Sequence, residues 1–143
     1  MGIEMTADRA RARDGASVAL VAGTVVLTLG TAYIHSTLGG WLFTLNAIGY
    51  ATLAVALIVP IALAARFRWL VRLALLGFTL TTIAGWILFG ARYDVAYVDK
   101  GIEVVLVALL VVGLYRFDGG AAGVIARLRE LSAELSGRVR GGR

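Results

Sequence analysis

The chain has 143 residues, 59% of them hydrophobic and 16% charged, with a mean hydropathy of +0.85. A soluble domain of this size carries more charged surface, so composition excludes an ordinary soluble globule and length favours one membrane-embedded domain. The net charge of +5 raises a nucleic-acid binder, but the basic residues, all Arg save Lys100, lie between and beyond the apolar runs rather than along one polar face, which excludes that class.

Residues 1–16 form a polar N-terminal segment with Arg9, Arg11 and Arg13 set against Glu4, Asp8 and Asp14. Residues 17–35 are apolar for long enough to span a bilayer. A basic start before an apolar run also describes a signal peptide, with Gly30-Thr31-Ala32 as a small-residue cleavage site; the segment is read as a retained first span. His35-Ser36-Thr37-Leu38-Gly39-Gly40 predicts a tight turn. The second span is expected over 41–65, with Pro60 tolerated near its end. Arg66-Phe67-Arg68-Trp69 predicts a basic, aromatic turn. The third span is expected over 69–91, and the fourth over 95–116 after the polar loop Arg92-Tyr93-Asp94.

Past Asp118-Gly119-Gly120, residues 121–136 predict an amphipathic helix. Val124, Leu128, Leu131 and Leu135 recur at helical spacing opposite Arg127, Arg129, Glu130 and Glu134. Such a stripe suits an anionic bilayer surface or a partner subunit, and 137–143 reads as a basic tail. The positive-inside rule then orients the molecule. With both termini cytoplasmic, only Arg92 and Lys100 of the 14 basic residues lie on the far side. Tyr33, Trp41, Trp86, Tyr93 and Tyr97 are expected to mark the outer aromatic belt, and Phe67, Trp69 and Tyr115 the inner one. The expected fold is an all-α integral membrane bundle of four transmembrane helices plus a cytoplasmic amphipathic helix. Heavy use of Ala, Gly, Val and Arg points to a GC-rich bacterial genome, and so to the inner membrane of a bacterium.

The fourth span carries the one sharp chemical signal. If Arg116 marks one membrane face, Glu103 lies ~20 Å along the helix at ~1.5 Å per residue, inside a ~30 Å hydrocarbon layer. An ionisable residue at that depth is a functional-site hypothesis by default. Asp99, Lys100 and Glu103 share one face. Asn46, about five residues inside the second span, reaches a similar depth, with His35 and Arg92 just above at the boundary.

In the functional alternative Glu103 binds a proton or cation, with Asn46 and His35 as partners, in a small transporter or proton-coupled protein. In the structural alternative it pairs with Lys100 or Arg92 and pins the outer loop, or the helix slides until its charges meet water. The single His35 also suits a haem or chlorin ligand in a pigment-binding subunit; otherwise no cofactor is expected.

The stripe Gly77, Thr81, Gly85, with Ala19 and Gly23 in the first span, lets helices approach closely within the chain or between protomers. There are no cysteines, so disulfides, thiolate metal sites and cysteine nucleophiles are excluded. No catalytic constellation emerges.

The stretches Leu42-Phe43-Thr44-Leu45-Asn46-Ala47-Ile48-Gly49-Tyr50 and Tyr97-Val98-Asp99-Lys100-Gly101-Ile102-Glu103, with Arg68-Trp69-Leu70-Val71-Arg72, resemble a loose group of short four-helix bacterial membrane proteins. The likeness covers roughly 35–114. It implies a fold and a pairing of Asn46 with Glu103, and brings no activity. The leading expectation is a non-enzymatic accessory or scaffolding component whose partners are the lipid bilayer and copies of itself or another membrane subunit.

Overall fold

The computed structural model describes the backbone of residues 2–141 and the side chains of 12–62, 64–134 and 136–137. Arg9, Arg11, Leu135 and the basic tail therefore lie outside the described side chains. The described residues form five helices: α1 (Gly2–Thr37), α2 (Trp41–Ile58), α3 (Ala62–Phe89), α4 (Asp94–Asp118) and α5 (Gly120–Gly141).

Each break in the helical run has a local cause. Between α1 and α2, Gly39 and Gly40 take φ of 69° and 88°, a region that costs other residues energy. Gly119, at φ 75° and ψ 22°, closes α4 as a left-handed cap whose N–H bonds the Leu114 carbonyl.

The α2–α3 boundary differs from expectation. Helix α2 stops at Ile58 rather than running to 65, and residues 66–69 belong to α3 instead of forming a turn. Pro60 sets the boundary, because its ring pushes the preceding Val59 out of the helical region, to ψ 121°. The polar N-terminal segment is likewise helical from Gly2, continuous with the first apolar run.

Among the described residues, three helices are long and apolar enough to cross a membrane, over Ala12–Thr37, Trp41–Ile58 and Ala64–Phe89, which points to a membrane protein. Helix α1 packs on α2, α2 on α3, α3 on α4 and α4 back on α1, so the contacts close into a ring. Tyr50, Leu57, Leu75, Leu106 and Leu110 fill its centre. The outside is apolar too: Val26, Trp41, Ile48, Val104 and Phe89, the last 89% exposed, face outward. Polar groups are buried inside instead, among them Thr28, Thr31, Thr79, Asp99 and Glu103. An apolar exterior around a hydrogen-bonded polar interior is what a lipid solvent demands.

Helix α5 docks on α4. Val124 packs against Trp69 and Leu114, with Leu131 beside them, while Leu128 stays exposed. The apolar stripe of α5 is thus partly consumed within the chain. Trp69, expected in an aromatic belt, is buried in this cluster because its side of α3 faces α5.

Candidate functional site

Helical spacing brings Asp99, Lys100 and Glu103 onto one stripe of α4, and the packing of α4 between α1 and α3 turns that stripe inward. Asp99 is 2% exposed and Glu103 fully buried. The Lys100 ammonium bridges the two carboxylates, 3.0 Å from Asp99 Oδ2 and 2.6 Å from Glu103 Oε2. Buried charges persist only when paired and hydrogen-bonded, and the remaining oxygens are satisfied from other helices. Thr31 Oγ1 of α1 donates to Asp99 Oδ1 at 2.5 Å. The Tyr50 hydroxyl of α2 and the Thr82 hydroxyl of α3 both lie 2.9 Å from Glu103 Oε1. Every helix of the ring contributes to the cluster.

His35 completes it from the end of α1. Its Nδ1 lies 2.9 Å from the Thr31 carbonyl and 3.6 Å from Asp99 Oδ1. A carbonyl only accepts, so Nδ1 carries the hydrogen in this contact. The ring is buried between Phe43 and Tyr50, at centroid separations of 6.0 and 5.7 Å.

Counting formal charges, two carboxylates face one ammonium, so with His35 neutral the cluster holds one uncompensated negative charge. Protonation of His35 or of a carboxylate neutralises it, as does a bound cation. Atoms of His35, Asp99 and Glu103 lie within 4.8 Å of one another, close enough to share one ion. The oxygen-rich donor set suits a hard cation, although the Lys100 ammonium already occupies the gap between the carboxylates.

The remaining residues singled out from the sequence fall elsewhere. Asn46 is half-buried one turn before Tyr50 and makes no hydrogen bond to Glu103 among the described residues. Tyr50 takes that place, because one further helical turn aims its longer side chain at the carboxylate. Arg92 is exposed, donates to the Ile87 carbonyl at 2.9 Å and stacks 4.1 Å over Trp86, so it does not pair with Glu103. A methyl group at Gly77 or Gly85 would meet nothing within 4 Å, and Thr81 is exposed and bonds back to Gly77. That stripe therefore faces outward, whereas Gly23 faces Leu109.

Thr31, Tyr50 and Thr82 are site residues that sequence reading passes over. A signal for the first exists: Thr24, Thr28, Thr31 and His35 follow i, i+4, i+7, i+11 spacing, and all four are buried. No family model, curated protein or solved structure matches the chain. Geometry and chemistry alone carry the functional assignment.

Proposed function

We propose that the protein is a four-span membrane protein that takes up and releases a proton, or a monovalent cation in its place, at the cluster of His35, Asp99, Lys100 and Glu103. One observation carries this: a buried cluster built from all four ring helices holds two carboxylates against one ammonium. A purely structural lock is best served by balanced charge, since an uncompensated buried charge is costly. A site that must exchange a cation is served by the imbalance. Lys100 then acts as a tethered counter-ion that holds the carboxylates together in either state.

A membrane-spanning α4 is supported by where its charges lie. Averaged over the helix, Asp99, Lys100 and Glu103 count against insertion, but they are turned inward, while Val98, Val104, Val105 and Val112 face outward. The arginine asymmetry supports cytoplasmic termini and a bacterial inner membrane.

The test is flux in sealed vesicles of defined lipid, with a pH-sensitive dye inside and the membrane potential clamped. Wild-type protein is expected to dissipate an imposed proton gradient. Glu103→Gln keeps an acceptor for Tyr50 and Thr82 in its amide oxygen and leaves Lys100 paired with Asp99, so a variant shown by circular dichroism to be folded is expected to lose the flux. Absence of flux from folded wild-type protein, with proton, sodium and potassium gradients alike, overturns the proposal.

A second reading, a self-associating accessory component, is favoured by the outward, unoccupied stripe of Gly77, Thr81 and Gly85. Small residues on a lipid-facing surface let a second helix approach closely.

A further inference from the structure

The other end of the helix ring is built around arginine. Arg72 of α3 is buried, donates from Nη1 to Asp118 Oδ2 at 2.6 Å and lies 4.7 Å over the Phe117 ring. Arg127 of α5 reaches the other oxygen of Asp118 at 3.0 Å. Arg68, one turn before Arg72, buries its Nε without a hydrogen-bond partner among the described residues. Two guanidiniums thus meet at one carboxylate, and Arg68 lines the same cavity as Arg72. Guanidinium carries five donors, and Arg72 spends only the Nη1 contact among the described residues.

Both arginines line a cavity of about 160 Å³ between α1, α3 and α4, closed by Thr24, Leu57 and Gly113. Beside it runs a shallower, almost wholly apolar groove of about 540 Å³, lined by Val18, Ala22, Val25 and Ile58. The two share Val21 and Phe117, so the basic cavity opens onto the apolar groove. Arg116 donates at 2.9 Å to the hydroxyl of Ser17, which lines the groove.

A buried donor left unpaired costs free energy comparable to a lost hydrogen bond and calls for an explanation such as a bound ion. Guanidinium suits a phosphate group, and the surplus positive charge asks for an anion. The apolar groove asks for a hydrocarbon chain. We propose that this site binds one anionic phospholipid, its headgroup phosphate on Arg68 and Arg72 and an acyl chain along the Val18–Val25 face of α1. Basic pockets between helices at the cytoplasmic membrane face are suited to such headgroups. The site lies apart from the His35–Asp99–Glu103 cluster, and its occupancy does not depend on ion transfer there.

The experiment is native mass spectrometry of the full chain released from phosphatidylcholine nanodiscs containing a minority of phosphatidylglycerol. Wild-type protein is expected to retain one phosphatidylglycerol per chain in preference to phosphatidylcholine. Arg68→Gln removes a guanidinium that no described residue uses, so the fold should persist while the preference falls about tenfold. Ala22→Phe fills the groove and should lower retention of the lipid with all arginines in place. Equal retention of the two lipids, or an unchanged preference in Arg68→Gln, overturns the proposal. Displacement of the bound lipid by inorganic phosphate alone also overturns it, since that outcome describes an anion site with no use for the acyl groove.

Discussion

Replacing Lys100 by Met deletes the charge that joins Asp99 to Glu103 while keeping a side chain of similar length. The ammonium contacts the carboxylates at 3.0 and 2.6 Å. At an effective dielectric constant of about 20, each contact is worth roughly 6 kcal/mol of gross Coulomb energy. Desolvation of three buried charges takes back most of that, and deleting one partner of a buried pair typically costs about 3–5 kcal/mol. Hydroxyl donors from Thr31, Tyr50 and Thr82 remain, but interhelical hydrogen bonds in membranes average only about 0.6 kcal/mol. They cannot replace the ammonium, so the charge term decides.

Lys100→Met is therefore expected to destabilise the fold by about 3–5 kcal/mol. Combining it with Glu103→Gln removes one of the two stranded carboxylates and should recover about 2 kcal/mol or more of that loss. The assay is reversible unfolding in mixed micelles followed by circular dichroism, for wild type, both single variants and the double. A cost below about 1 kcal/mol for Lys100→Met, or simple additivity of the two changes, refutes the claim that the cluster is held by charge.

Two further outcomes are expected. Asp118→Asn leaves Arg72 and Arg127 without their shared anion and should cost about 3 kcal/mol. Hydrogen exchange should then rise first in α5, because the remaining Arg66–Glu134 pair is exposed and contributes little; exchange rising uniformly along the chain would contradict this. Gly77→Leu adds a side chain where nothing lies within 4 Å, so chain stability should hold while any self-association by this face is lost. Sedimentation in density-matched detergent reads the outcome, and an unchanged oligomer removes the stripe from the interface.

Much of the architecture was legible in the chain because bilayer physics acts on composition over long windows. Apolar runs, the glycine turn at 39–40 and the cap at Gly119 each have a cause confined to a few neighbours. Helical spacing likewise put Asp99, Lys100 and Glu103 on one face, since i, i+3 and i+4 positions are neighbours whatever surrounds them. Pro60 is visible in the chain too, but it does more than bend the helix end: Val59 leaves the helix, and the arginine-rich stretch becomes part of α3.

Only tertiary packing decided who meets Glu103. Depth along a helix narrows the candidates to a level, but rotation about the helix axis, set by the packing of its whole surface, selects among them. Asn46 and Tyr50 lie one turn apart on α2, and the longer side chain reaches the carboxylate. Arg92 was near enough in sequence to be a candidate, but it turns back onto Trp86 and the Ile87 carbonyl. Gly77 and Gly85 carry a packing pattern whose use depends on which way α3 faces, and in this fold that face points outward. The sequence by itself determined the apolar helices and the charged stripe of α4, because both are local sums along the chain. The inward turn of that stripe, its partners on three other helices and the arginine cavity at the opposite end come from contacts between residues far apart in sequence, which no local pattern encodes.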